Sequence, residues 1–384
     1  MSKKEDDIWA KLNKGLGSDI IKLGTDPVTS TVDVIPLPSP GINDAIGFGG
    51  IPIGLISQFH GPESSGKTLL AILAVIAAQK KFPESDVVWL DAEYSLDTAW
   101  CKKLGVDLSR LRIVKENTAD GLWRVMLGKK DPKTGKKTVP GVLDLVSDGS
   151  LKVSLIVLDS IAGMTPPIEE DRNFDEQEMA ALARFLPKAM RQLQKGLQQA
   201  KVAMICINQA REKIGERVPM LTYPGGRAYR HQLSVALKVF ASASKDNHLL
   251  DSNDEKYGHK VTVTAEKTKG GPVGRKSEVW LDFRKGVIKL GEEVATLATA
   301  YGVVQRPNNV MWVYKDRKVK GQDHFFALLD SDEKLRAEIS REIEKARASG
   351  VERNAEHGPE VDAGAPSAFA DNGTDDLEID GEDE

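Results

Sequence analysis

Cysteine is scarce in this chain: Cys101 and Cys206 are the only two in 384 residues. Two thiols make neither a disulfide framework nor, by themselves, a zinc site. Their scarcity suits a reducing compartment, and a cytoplasmic location is expected. Long apolar runs are also missing. No run approaches the ~18 residues of a membrane span. The charged start, Met1 to Asp7, leads into no apolar signal core, so neither a membrane partner nor secretion is expected. No internal repeat is visible. Basic residues are absent from the last fourteen, Asp371 to Glu384, which hold eight acids. The whole chain carries 53 Lys+Arg against 57 Asp+Glu, a net charge of −4, and setting those eight acids aside leaves +4 on the rest. A mildly basic body with an acidic tail points to a polyanion partner.

What is present is ordinary globular material, 40% apolar and 29% charged, in a length that suggests two or three domains. Ile8, Trp9, Leu12 and Leu16 share one helical face, with Asp6 or Asp7 as a cap. That stripe packs on the chain's own core or on a neighbouring subunit. Further on, apolar runs at 55–59, 87–90, 153–158, 202–207, 235–240 and 261–265 alternate with helical stretches such as 68–80 and 178–200. The alternation predicts an α/β fold with a central, mostly parallel sheet covered on both faces. From about Val287 a small α+β unit follows. Its last helix carries Leu335, Ile339, Ile343 and Ala346 on one face, Asp330 and Glu333 at capping-box spacing, and Gly350 at its end. The Gly-, Pro- and acid-rich remainder cannot bury enough apolar surface to fold. The expected divisions are 1–28, 29–287, 288–350 and a disordered 351–384.

The strongest motif is Gly61-Pro62-Glu63-Ser64-Ser65-Gly66-Lys67-Thr68, between an apolar strand and a helix. Glycines let backbone N–H groups wrap phosphate oxygens, and the helix N-terminus adds partial positive charge. Lys67 then neutralises the terminal phosphates of a nucleotide, and the Thr68 hydroxyl ligates Mg²⁺. The run Leu155-Ile156-Val157-Leu158 ends in Asp159, a carboxylate at a strand's C-terminal edge, suited to the same metal. Hydrolysis also needs a base for water. Val87–Leu90 ends in Asp91-Ala92-Glu93, and either acid could serve.

With these residues assembled, the chain resembles the RecA family of DNA strand-exchange recombinases. The likeness runs from about Ile8 to Ala348 in four ordered blocks. These are the phosphate loop; Asp91-Ala92-Glu93 with Leu96-Asp97 and Lys103–Asp107; Leu158-Asp159-Ser160 with Thr165-Pro166; and Ile207-Asn208-Gln209 with Arg211, Lys213-Ile214-Gly215 and Gly225-Gly226. The resemblance implies a RecA-type ATPase core that uses ATP and Mg²⁺. It singles out Glu93 as the water-activating acid and Gln209 as the sensor of the terminal phosphate. It matches Asp97 and Trp100 to adenine-side positions, with Trp100 where the family commonly has Tyr. Lys267 and Lys269 become a pair reaching the neighbour's ATP.

The same resemblance implies two DNA loops, at roughly 169–179 and 210–226. Met179, Arg184, Arg191, Arg211, Lys213, Ile214, Gly225, Gly226, Arg227 and Arg230 are the implied DNA-binding residues. The implied activity is ATP-dependent homologous pairing and strand exchange by a helical homo-oligomeric filament on single-stranded DNA. Homologous duplex is the second DNA partner, with single-strand-binding and loader proteins as further ones. The N-terminal helix docks on the adjacent subunit, and Arg306, Lys315, Arg317, Lys318 and Lys320 form a gateway for duplex. The first loop departs from the family in its acids Asp171, Asp175 and Glu176, and the second carries Glu212 where an apolar residue is usual.

Overall fold

The computed structural model describes residues 3–15, 32–131, 133–166, 174–209, 211–212, 221–222, 224, 226–242 and 244–354, without the side chains of 3–7, 174–180, 183, 211–212, 221–222 and 226–228. The acidic tail, Lys213, Ile214, Gly225 and most of both expected DNA loops lie outside these residues.

Ten strands make one sheet: β1 (Ile56–Gly61), β2 (Asp86–Asp91), β3 (Leu111–Val114), β4 (Val153–Asp159), β5 (Ala203–Gln209), β6 (Val235–Ala241), β7 (His248–Leu250), β8 (Lys256–Thr268), β9 (Lys276–Asp282) and β10 (Gly286–Ile288). From one edge the order is β3-β2-β4-β5-β1-β6-β8-β9-β10, with β7 paired to β8. The first six run parallel, and the rest are joined antiparallel. The parallel strands β1, β4 and β5 are buried almost throughout; β4 and β5 are mainly apolar, whereas β1 also buries Ser57, Gln58 and His60. The run Val261–Ala265 belongs to the antiparallel part instead. Its Val–Thr alternation matches a strand of 13 residues whose burial alternates.

After α1 (Lys3–Gly15), helices α2 (Pro40–Ile46), α3 (Lys67–Lys81), α4 (Thr98–Leu104), α5 (Ala119–Leu127), α6 (Val142–Ser147), α7 (Phe174–Ala200) and α8 (Gly226–Gln232) surround the sheet. α2, α3 and α4 share one core cluster with Phe59, Trp89, Ile205 and Leu237. α5 to α8 share another, on the opposite face, with Leu90, Ile156, Met204 and Ala236. A third cluster joins α9 (Leu290–Ala300), α10 (Gln322–Ser331), α11 (Glu333–Ala348) and the hairpin β11 (Met311–Tyr314) with β12 (Arg317–Lys320).

Four local expectations change. α1 begins at Lys3, so Asp6 and Asp7 lie inside it rather than capping it. Its Ile8, Trp9 and Leu12 are 55%, 47% and 46% exposed, so among the described residues this stripe does not pack on the chain's own core. α11 is capped by Asp332, whose carboxylate accepts the Leu335 N–H at 3.0 Å. Asp330 is not the cap because its carboxylate accepts the Gly291 N–H at 2.7 Å, tying α9 to α10. Finally α7 starts at Phe174, so the second half of the first expected loop, Met179 included, is helix.

Candidate functional site at the C-terminal edge of the sheet

Parallel strands end side by side where open α/β sheets bind ligands. Gly61 is level with Gln209 on β5, and Asp91 with Asp159 on β4. After Gly61 the chain turns through Pro62, Glu63, Ser64, Ser65 and Gly66 into α3, which opens with Lys67 and Thr68. A Cβ on Gly61 would lie 2.1 Å from the Val239 carbonyl oxygen, so only glycine lets the turn start there. Lys67 is buried, and its ammonium donates to the carbonyls of Gly61 at 3.1 Å and Pro62 at 2.5 Å and to Ser65 Oγ at 3.4 Å. Burial draws its pKa down, while Asp159, Glu93 and Glu63 hold it up.

Thr68 Oγ1 donates to Asp159 Oδ2 at 3.3 Å. Burial, then the charge of Glu93, pushes the Asp159 carboxyl up to about 7, against the Thr68 bond and Lys67. Glu93 Oε1 accepts from Gln209 Nε2 at 2.8 Å and from the Ser160 hydroxyl. Asp91 is engaged elsewhere. Its two oxygens accept the N–H groups of Ser95 at 3.1 Å and Leu96 at 3.3 Å, closing the turn after β2. Of the two acids, Glu93 is the one joined to Gln209 and Ser160.

The remaining expected residues divide. Asp97 caps α4 through the N–H groups of Ala99 at 2.8 Å and Trp100 at 3.1 Å. Trp100 is half-buried, with its indole N–H on the Phe283 carbonyl at 2.5 Å. Lys267 and Lys269 are not in this cluster. Lys267 sits level with Ala236, which is level with Gln58 in the middle of β1. There its ammonium caps the C-terminus of α8, at 2.5 Å from the Arg230 carbonyl and 3.3 Å from that of His231. Arg184 and Arg191 are exposed on α7. Arg211 lies in a two-residue strand paired with Leu221–Thr222, and Gly226 and Arg227 open α8.

Two residues of the matched blocks that carry no expected role also take part. Ser160 holds Glu93. Asn208 Nδ2 reaches the Pro224 carbonyl at 3.0 Å, across the mouth of the second loop. Each adjoins a motif residue, which was the available signal.

The donor set fits a hydrated Mg²⁺, which prefers hard oxygens and takes much of its shell from water and phosphates. Among the described residues no group of three or more His, Cys, Asp and Glu could cage a metal alone. The fold and this edge define the class: an α/β protein with a strand–loop–helix turn of the phosphate-binding kind. The model of the RecA N-terminal domain matches residues 5–288. The chain is 32% identical to Protein RecA of Fusobacterium nucleatum over 347 residues, 90% of this chain and 84% of that protein. It is 32% identical to Protein RecA of Thermus aquaticus over 326 residues, 84% and 88% of the two, and 30% identical to that of Bacillus velezensis over 331 residues, 86% and 87%. The chain belongs to the RecA family, and a recombinase function in general comes with that membership. Among the described residues no helix is long and apolar enough to cross a membrane.

Proposed function

We propose that the protein is a DNA-dependent ATPase that polymerises on single-stranded DNA and pairs it with a homologous duplex. The observation that carries this reading is the bond from Gln209 to Glu93. Gln209 ends β5, and the second loop begins at the next residue, so one amide links the acid of the nucleotide edge to the loop assigned to DNA.

The backbone of 62–67 and Lys67 bind the triphosphate. Thr68 and Asp159 hold Mg²⁺, which supplies charge neutralisation on the phosphates. Glu93, oriented by Ser160 and Gln209, takes the proton of the attacking water. When the terminal phosphate leaves, the Gln209 amide changes partners and the second loop loosens, a coupling between two sites. Arg191, Arg211, Arg227 and Arg230 give sequence-independent phosphate contacts. Lys267 and Lys269 complete the site of an adjacent copy, on which α1 docks by its exposed Ile8, Trp9 and Leu12. In the C-terminal unit, Lys315 is already paired with Glu338 at 2.6 Å and Glu342 at 2.8 Å. Lys315 is therefore the least available cation of the duplex gateway, which falls chiefly to Arg306, Arg317, Lys318 and Lys320.

The test is phosphate release with and without single-stranded DNA. DNA should stimulate the parent, and Glu93→Gln should lose about 100-fold of that rate or more while still binding a fluorescent nucleotide. A mutant that turns over like the parent defeats the assignment.

A further inference from the structure

Two basic elements short of countercharge meet in one groove outside the nucleotide cluster. The first is α7. Between Met179 and Ala200 it contains four cations, Arg184, Lys188, Arg191 and Lys195, and no acid. Steps of four, three and four residues place them on a single stripe, and all four are exposed. A helix face that merely meets water usually mixes signs and gains i,i+4 pairs. This face has none.

The second element interrupts the α5–α6 connection. Residues Lys129–Lys130 pair antiparallel with Lys137–Val139. The base of this hairpin is a close crossing of backbone on backbone. A Cβ on Gly128 would lie 2.2 Å from the Val139 carbonyl oxygen, and one on Gly141 2.3 Å from the Gly128 nitrogen. The hairpin is thereby pinned to the helical layer. From 129 to 137 it holds five lysines and one acid. That acid, Asp131, is turned onto its own loop, accepting the N–H groups of Lys133 and Thr134 at 2.8 Å each.

Hairpin, α5 and α7 enclose a groove of about 870 Å³. Its two acids are engaged, Asp120 by Arg124 and Asp144 by Lys137. Lys129 and Lys130 on one wall and Lys188 and Lys195 on the other have no acidic partner among the described residues. Four like charges lining a channel raise the local potential and draw in a polyanion. Gln192 and Gln199 add neutral donors to the same wall.

We propose that this groove binds a nucleic-acid phosphodiester backbone, carrying it from the α7 stripe between Lys188 and Lys195 on one side and Lys129 and Lys130 on the other. The proposal rests on the reading of the chain as DNA-binding and extends it to a surface outside both expected loops. A repeating polyanion suits the site better than a folded acidic protein. The cations form a line, and the aromatic pair Trp123 and Phe185 packs edge to face at 5.2 Å, its larger ring buried, rather than offering an apolar anchor.

The experiment titrates the full chain into a fluorescein-labelled oligothymidine and a labelled duplex of equal length, by anisotropy, at several salt concentrations. For Lys129→Gln/Lys130→Gln/Lys188→Gln/Lys195→Gln, the slope of log affinity against log salt should fall by about 0.9 per lysine on duplex or about 0.7 on single strand. The probe that responds identifies the occupant. The pair Lys129→Gln/Lys130→Gln should give about half the change, and it decides the matter if the fourfold variant does not fold. Parental slopes on both probes would overturn the groove while leaving the DNA-binding reading intact. An equal shift per lysine in Lys245→Gln/Lys256→Gln, exposed and elsewhere, would also overturn it, since total charge would then explain everything. If the parent binds neither probe, the wider reading fails and the groove fails with it.

Discussion

The two edges of the parallel strands hold lysines in opposite company. At the C-terminal edge Lys67 lies among carboxylates, with Asp159, Glu93 and Glu63 all supporting its charge. Near the other edge Lys267 lies among cations. Burial, then Lys269 and Arg230, brings its ammonium down to about 8. One edge is short of positive charge and the other has a surplus. Within the chain the Lys267 ammonium is held by the carbonyls that end α8 rather than by the phosphate loop, and it stands level with Gln58, three residues before Gly61, or ~10 Å along the strand. The proposed filament would set one such edge against the other on the next copy, a heterologous and non-closing contact.

The strongest way to break this comparison is complementation. Lys67→Ala alone, and Lys267→Ala/Lys269→Ala alone, should each lose at least ~100-fold of DNA-stimulated phosphate release. Mixed in equal amounts, they should recover roughly a quarter of the parental rate, since a random polymer pairs two intact edges at that frequency. No recovery would mean that both lysine groups serve the same chain.

A second measurement sharpens the comparison with a buried carboxylate that belongs to neither edge. Glu293 on α9 accepts from Ser39 Oγ and the Gly41 N–H at 2.5 Å each, and burial pushes it up to about 7. The folded chain keeps a proton there that the unfolded chain releases above its ordinary value of 4.5. Its contribution to stability therefore falls as pH rises from about 4.5 to about 7, by about 3 kcal/mol at most. Urea midpoints at pH 5 and pH 7.5 should fall further in the parent than in Glu293→Gln, which keeps the share due to the raised carboxyls of Asp159 and Glu266. Nucleotide affinity should be unchanged. A parallel loss in both proteins would contradict it.

The smallest effect is a control on the C-terminal unit. Asp332→Ala should lower stability by about 1 kcal/mol through loss of the α11 cap, with phosphate release unaltered. A thermal melt checks it, and an unmoved midpoint would show that the cap contributes nothing.

Much of the site was readable because local patterns dictate it. The phosphate loop is contiguous, and the apolar runs ending in Asp159 and Glu93 announce strands that deliver acids to one edge. The choice between Asp91 and Glu93 was not readable from the residues alone. Both follow the same strand, and only the turn shows that Asp91 closes on Ser95 and Leu96. The cap of α11 was misread for a similar reason. Asp330 has capping chemistry, but its carboxylate is claimed by Gly291, 39 residues away. The lysine hairpin left no periodic signal, since strands of two and three residues are too short for one.

By itself the sequence determined the α/β class, the phosphate-binding turn and the residue types at the strand ends. Those depend on interactions between near neighbours: apolar periodicity, glycine at a tight turn, a hydroxyl beside a lysine. Only the tertiary structure decided that Gln209 holds Glu93 across 116 residues, and that Lys267 faces away from its own phosphate loop. It also decided that two basic segments line one groove. Strand order and register set those meetings, and they come from packing the whole sheet at once rather than from any stretch of chain.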